Sequence, residues 1–381
     1  MSAPRVGVIG GGQLARMMQP AAVNLGIELK VLVNSPNESA AQVIPQAIIG
    51  SHHDWESISK FAALCDVVTF DHEHVPLEFL NKLIDSGIQV RPSPHALIFA
   101  QDKIAMRSKL SNLGIPCPKW SEIKSTEQLS LFENEVGYPF VLKSAKGGYD
   151  GKGVWVVANE TEAQAVFLEI KKLGSAVLAE ELVKFKRELA AQVARSPHGQ
   201  SVAYPIVQST QTDGICHEVI APCPEISDEK AITAQEIALK IAKELDITGM
   251  LAVELFDTGD QILVNELAMR PHNSGHWSMD GSVTSQFENH LRAILDWPLG
   301  SPAQTSPVTV MVNLLGKDLD NLHQAFRHVM ARDPQVKVHL YGKEVRPGRK
   351  IGHVNVSGEN TKDLLARAWH AANYLTGVID E

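Results

Sequence analysis

Between two short apolar runs, Phe140–Lys143 and Val154–Val157, the chain places four glycines within seven residues: Gly147-Gly148-Tyr149-Asp150-Gly151-Lys152-Gly153. Glycine reaches backbone conformations closed to other residues, so such a loop can bring several backbone N–H groups against an anion. Both flanks read as strands. The setting is strand–loop–strand, which excludes the strand–loop–helix of a Walker motif, and the pattern GxxxxGK[ST] is absent. Lys143 ends the first strand and Lys152 lies in the loop. The reading is a mobile phosphate clamp. A solvated surface hairpin would need no lysine at the strand end.

A second constraint lies about 100 residues on. Leu251–Phe256 and Gln261–Leu267 flank Asp257-Thr258-Gly259-Asp260, a strong hairpin signal. Glu254 and Glu266 are embedded in these apolar strands, where an unpaired carboxylate is costly. With Asn265 they make a hard oxygen site suited to Mg²⁺, nucleotide phosphates completing the shell. The geometry depends on register. A two-residue loop puts the glutamates on opposite faces, whereas three or five residues put them on one face as diagonal neighbours. An odd loop is therefore expected. The alternative is that each glutamate pairs with a buried Lys or Arg. Arg270-Pro271-His272-Asn273-Ser274-Gly275-His276 follows at once and has the composition of a reaction centre. Arg270 can bind a small oxyanion bidentately, and His272 can move a proton near neutral pH.

Two further segments bear on nucleotide binding. Glu180-Glu181-Leu182-Val183 follows a strand and can read the edge of a base through backbone groups, and Glu188 can take ribose hydroxyls. A solvated charge cluster is the alternative. Near the start, Gly10, Gly12 and Ala15 fit GxGxxG/A between a strand and a helix. Three readings stay open: a dinucleotide site, a tight turn for helix packing, or an anion site at a helix N-terminus with Gln13 facing it. The dinucleotide reading lacks its acidic residue, because the second strand ends at Val33-Asn34.

The pattern along the chain is α/β, then α+β. Strands at Arg5–Ile9, Glu28–Val33, Val67–Phe70 and Gln89–Arg91, with a helix at Gln13–Leu25 stopped by Gly26, predict a parallel sheet over residues 1–100. Pro92, Pro94, Pro116 and Pro118 bracket one predicted helix, Ala96–Leu113. A small α+β lid is expected over about residues 120–185. Strand signals dominate from Glu188 to Glu266, interrupted by a helix at Asp228–Leu245. The tail carries strands at Val308–Leu314, Val336–Tyr341 and His353–Val356, with a basic turn before the last and a helix at Thr361–Leu375.

Bulk properties exclude several classes. The chain has 381 residues, 44 % apolar and 21 % charged, a globular composition with room for two or three domains. Its net charge of −9 argues against general nucleic-acid binding. Cys65, Cys117, Cys216 and Cys223 form no CxxC pair and no zinc spacing. With no signal peptide and no apolar run near the roughly 20 residues of a membrane span, the expectation is a soluble, cytoplasmic chain with no membrane partner.

Taken together, Gly10–Leu14, Gly147–Gly153, Asn265–Leu267 and Arg270–His276 resemble the ATP-grasp superfamily, and within it the N5-carboxyaminoimidazole ribonucleotide synthetases of purine biosynthesis. The resemblance extends to Asp71–Pro76, Gln101–Lys103, Gln286–Arg292 and Arg346–His353, nearly end to end. It implies an ATP-grasp fold: a Rossmann-like N-terminal domain at 1–100, an ATP-grasp domain at 107–296 including the lid, and a mixed C-terminal domain at 297–381. It also implies a homodimer and a reaction. ATP phosphorylates bicarbonate to carboxyphosphate, and the amine of 5-aminoimidazole ribonucleotide attacks that intermediate or the CO₂ it releases.

Residue by residue, the resemblance places ATP on Lys103, Lys143, Gly148, Tyr149, Asp150, Gly151, Lys152, Gly153, Val154, Glu180, Glu181, Leu182, Val183, Glu188, Gln211, Asn265 and Glu266. Glu254 and Glu266 would hold Mg²⁺. Tyr149, Arg270 and His272 would position bicarbonate or carboxyphosphate, with Lys350 a further catalytic candidate. Gln13, Leu14, Glu73, Asn273, Lys343, Arg349 and Lys350 would hold the ribonucleotide, the cations at its 5′-phosphate. Three departures stand out: Lys103 where Arg also occurs, Gln211 where His is common, and Asp71-His72-Glu73-His74-Val75-Pro76 where the common pattern is Glu-Phe-Glu-Asn-Val-Pro. Two rivals remain at this stage: a formate-dependent glycinamide ribonucleotide transformylase, which tends to carry Asp at position 273 and Glu at 13, and a non-catalytic nucleotide-binding module.

Overall fold

A computed structural model describes residues 3–147, 152–317 and 322–379. The N-terminal sheet is parallel, in the order Gln46–Ile49, Glu28–Val33, Arg5–Ile9, Val67–Phe70, Gln89–Val90. The order reverses between Arg5–Ile9 and Val67–Phe70. Ligands of open α/β sheets bind outside the carboxyl ends of strands at such a switch point. Here that position holds the Gly10–Gly12 turn and the Asp71–Pro76 loop. The helix Gln13–Leu25 ends on Gly26 in the left-handed region at φ 66°. Its first turn is capped from a distance: Gly12 N and Ala15 N donate to the Asp71 carboxylate at 3.0 and 2.8 Å. A Cβ at Gly12 would stand 2.0 Å from Asp71 Oδ2. These amides already serve an anion of the protein itself, which argues against a bound pyrophosphate there.

The expected helix Ala96–Leu113 is two helices, Pro94–Gln101 and Lys103–Asn112. Asp102 breaks the run at φ −131°, ψ 106°, and its carboxylate accepts from Ile104 N and Ala105 N. A side chain that caps a new helix competes with continuing the old one. The break puts Lys103 in the first turn, pointing at the hairpin.

The lid is a four-stranded antiparallel sheet, ordered Trp120–Ile123, Val177–Glu181, Phe140–Ser144, Val154–Val157. Leu129, Phe132, Phe167 and Ile170 of helices Thr126–Val136 and Glu160–Lys172 pack on one face of it. The main sheet has nine strands among the described residues. It runs Ile262–Ala268, Gly249–Asp257, Arg187–Arg195, Val207–Thr212, Ile215–Ala221, Val308–Leu315, Lys350–Gly358, Lys337–Leu340, with Ser201–Ala203 beside Arg187–Arg195. The C-terminal strands thus continue the sheet that carries the hairpin. The last long strand begins at Lys350, earlier than the expected His353.

One buried histidine ties the N-terminal sheet to the main one. His290 Nδ1 accepts from Met250 N at 3.1 Å, so Nε2 carries the proton and donates to Thr69 Oγ1 at 2.8 Å. Gly249 leaves room for it, since a Cβ there would lie 2.9 Å from the ring. This contact sets the Asp71–Pro76 loop against the segment after the hairpin.

Candidate active site

Where the N-terminal switch point, the lid and the hairpin meet lies a cavity of about 870 Å³. That is room for a nucleotide and a second substrate. Gln13, Leu14, Glu73, Lys103, Lys143, Lys152, Val154, Glu180, Glu181, Leu182, Val183 and Gln211 line it, with Glu254, Asn265, Glu266, Arg270, His272, Asn273 and Lys350. Gly148, Tyr149, Asp150 and Gly151 lie outside the described residues.

The hairpin loop is even, not odd. Asp257 pairs with Ile262, leaving four loop residues. Continued regularly, that register would set Glu254 opposite Asn265 and turn Glu266 to the other face. Instead the register shifts: Leu255 pairs with Val264 and Glu254 with Glu266, leaving Asn265 as the extra residue of a bulge. The glutamates therefore stand directly opposite on one face, rather than diagonally. Glu266 is paired with Lys103 at 2.8 Å. Burial, then the charges of Glu266 and Glu188, pushes Glu254 from its usual 4.5 up to about 7. Burial also raises Glu266, but Lys103 and Lys143 outweigh it and its pKa is lowered.

Two like charges side by side in a partly dehydrated place fit a divalent cation. Among the described residues no group of three or more His, Cys, Asp or Glu is placed to hold a metal ion. The donor set suits a cation that takes the rest of its oxygens from phosphate, as Mg²⁺ does.

The charge on Glu254 has a cost that can be measured. Its folded pKa is raised, so its contribution to stability is complete below about 4.5 and is lost as pH rises through about 7. Glu254→Gln keeps the shape without the charge. In metal-free protein it is expected to raise stability at pH 8.5 by about 1–3 kcal/mol and to change it little at pH 5. Thermal unfolding at both pH values checks this, and equal shifts at both would contradict it.

Glu180 takes a different role from base reading. Its backbone is paired on both sides, with Trp120 and Val141, and its side chain is buried. One oxygen meets Arg107 and the other meets Lys143 at 2.6 Å. Burial pushes this carboxyl up, yet Arg107 and Lys143 more than offset it and hold it at about 2. Glu180 thus aims Lys143 into the cavity. Glu188 does not line the cavity, although its charge acts on Glu254. Gly153 lies at its margin, its carbonyl accepting from Ser144 N at 2.9 Å.

At the other end, Arg270 Nε contacts the Glu73 carboxylate at 2.8 Å. Gln101 Nε2 donates to Glu73 O at 2.6 Å and Val75 O at 2.9 Å, fixing that loop. His272 Nδ1 shares a hydrogen bond with Ser274 Oγ at 2.9 Å, and Nε2 lies 3.6 Å from Glu254. Burial, then Arg270 and Lys350, pulls its pKa down to about 3. That direction works against proton shuttling by His272 near neutral pH. Asn273 and Asn313 exchange amide hydrogen bonds of 2.9 and 2.8 Å. An Asp at 273 would set a carboxylate oxygen against Asn313 Oδ1.

Of the three cations expected at the 5′-phosphate, two reach the cavity in the described residues, one directly and one through Gln13. Lys350 lines the cavity. Arg349, at the end of the turn before the strand Lys350–Gly358, donates to Glu344 O at 3.3 Å. Lys343 is hydrogen-bonded to Gln13, which does line the cavity. Sequence reasoning missed His53 among the lining residues, and it read His72 and His74 only as departures from a pattern. It also missed Phe185, which stacks on Phe256 with centroids 4.9 Å apart beside Leu182 and Val183. Phe185 is half exposed in a loop, so no periodic pattern marks it.

Three family models match the chain in succession: a ribonucleotide synthetase preATP-grasp domain over residues 3–101, an ATP-grasp domain over 108–287, and a phosphoribosylaminoimidazole carboxylase C-terminal domain over 309–367. The N5-carboxyaminoimidazole ribonucleotide synthase of Mycobacterium tuberculosis is 50 % identical over 378 residues, covering 98 % of this chain and 88 % of its own. The carboxyaminoimidazole ribonucleotide synthase of Aspergillus clavatus, solved with ATP, superposes with a TM-score of 0.90 at 32 % identity, covering 99 % of this chain and 100 % of its own. The Aspergillus clavatus enzyme solved with ADP and 5-aminoimidazole ribonucleotide gives 0.88 at 32 %, covering 98 % and 99 %.

Proposed function

Since the chain belongs to the N5-carboxyaminoimidazole ribonucleotide synthetase family of ATP-grasp ligases, we propose that its cavity phosphorylates bicarbonate at one end and delivers the product to 5-aminoimidazole ribonucleotide at the other. The chain is an ATP-dependent ligase of purine biosynthesis that carboxylates this ribonucleotide. The observation that carries the finer reading is the arrangement of charge along the cavity. Lys103, Lys143 and the Glu254–Glu266 pair sit under the lid, and the Arg270–Glu73 ion pair sits at the switch point.

In this reading ATP lies between the lid and the hairpin, its base near Leu182, Val183 and Phe185. Glu254 and Glu266 would hold Mg²⁺, which neutralises phosphate charge when bound. Lys103 and Lys143 position the phosphates, and Arg270 holds bicarbonate in line with the terminal phosphorus. Bicarbonate is a poor electrophile, and phosphorylation gives its carbon a leaving group. Carboxyphosphate hydrolyses readily, so the glycine loop at 147–153 has to exclude water. Glu73 and Lys350 then seat the ribonucleotide, with Gln13 and Asn273, so that its amine reaches the activated carbon. The assignment of Tyr149 to the oxyanion rests on the resemblance, as do the homodimer, the cytoplasmic location and the three-domain division. Among the described residues no helix is long and apolar enough to cross a membrane.

ADP release with ATP, bicarbonate and 5-aminoimidazole ribonucleotide is expected to depend on all three. It should stay at background with formate and glycinamide ribonucleotide. Turnover only in the second mixture would refute the assignment, and nucleotide binding without turnover in either would favour a non-catalytic module.

A further inference from the structure

Arg107 belongs to no motif, yet it is a fully buried charged residue. It lies on the helix Lys103–Asn112, one turn from the cavity-facing lysine at its start. Its guanidinium makes three contacts. Nε donates to Glu180 Oε1 at 2.5 Å, Nη1 to Val264 O at 2.9 Å and Nη2 to Asn265 O at 2.8 Å. The two carbonyls belong to the bulge in Ile262–Ala268, an edge strand of the main sheet among the described residues. The carboxylate belongs to the residue that holds Lys143.

A buried guanidinium is a poor way to gain stability alone, because apolar residues of the same volume often do as well. Its planar fork is suited to fixing several acceptors in one geometry. We propose that Arg107 is a positioning residue for phosphoryl transfer. With one group it fixes the bulge that sets Glu266 opposite Glu254 and the carboxylate that aims Lys143. It thereby locks the metal-facing carboxylates and the phosphate-facing lysine to each other across lid and hairpin. This rests on the assignment of Glu266 and Lys143 to the nucleotide.

The test is Arg107→Lys, which keeps a positive charge for Glu180 but loses the fork. The Mg²⁺ concentration for half-maximal rate and the KM for ATP are expected to rise about tenfold, with KM for 5-aminoimidazole ribonucleotide unchanged. Leu110→Ala, a buried apolar change on the same helix, serves as the control for stability alone: it should lower Tm and leave all three constants at native values. If Arg107→Lys does not fold, Arg107→Gln, which leaves Glu180 paired with Lys143, should give the same shift. Folded protein with Mg²⁺ and ATP constants within twofold of native overturns the proposal, as does a loss shared equally by the ribonucleotide. Lys143→Ala and Glu266→Ala separate the two failures. If they leave turnover intact, the nucleotide assignment falls and this proposal with it. If they abolish turnover while Arg107→Lys behaves as native, only the role of Arg107 falls.

Discussion

Glu266→Ala is expected to lower kcat by about 10³-fold or more while leaving KM for 5-aminoimidazole ribonucleotide close to native. The size follows from what the side chain touches. Glu266 faces Glu254 directly and holds the Lys103 ammonium at 2.8 Å. Alanine removes one of the two facing carboxylates, and it leaves Lys103, largely buried, without its anion. In the proposed reading both losses would fall on the nucleotide phosphates. Neither touches Gln13 or Glu73, which belong to the loops at the switch point. Glu266→Asp restores the charge one methylene short and should recover part of the rate. The measurement is steady-state ADP release against Mg²⁺ and each substrate in turn, with Tm recorded for each variant. A kcat within tenfold of native for folded Glu266→Ala would refute the metal role.

That prediction depends on a feature the sequence shows only in part. The apolar strands, the turn residues and the two embedded carboxylates are all visible in Leu251–Leu267. The expected parity of the loop was wrong, because a four-residue loop separates the strands. A bulge at Asn265 then restores the shared face. Nothing local marks that bulge, since the group on its carbonyls is Arg107, more than 150 positions earlier. The helix break at Asp102 is local and could have been read, because Asp before a helix-forming run is a preferred cap. The strand Gln46–Ile49 escaped because it is a short, partly exposed edge of only four residues. Arg349 and Lys350 look like one basic patch in sequence. A turn ends at Arg349 and the strand starts at Lys350, a boundary that the run of basic residues does not mark. What the pattern carried well is chemistry held on regular elements. What it could not carry is side chains reaching across the fold: Asp71 onto a helix start, Glu180 between two cations, Arg107 onto a bulge.

Arg270→Lys should separate bicarbonate activation from nucleotide binding. Arg270 stands where the two halves of the proposed reaction meet, with its Nε on Glu73 at 2.8 Å. Glu73 sits in the loop at the switch point, and Gln101 holds that loop by two hydrogen bonds. In the proposed reaction the guanidinium is therefore oriented from the ribonucleotide side while it would serve an oxyanion on the nucleotide side. Lysine keeps the charge but concentrates its donors at one nitrogen, so it cannot hold Glu73 and a planar oxyanion in fixed directions together. The expected loss in kcat/KM for bicarbonate is about 10²- to 10³-fold, with ADP affinity within about threefold of native. A second consequence follows from the lability of carboxyphosphate. If the intermediate forms but is poorly held, water takes more of it, and ADP released per carboxylated product rises above one. Measuring both products in the same reaction reads this directly. Equal losses in ADP affinity and bicarbonate-dependent rate would place Arg270 on the nucleotide instead. A native ratio of ADP to product at a native rate would remove it from the chemistry altogether.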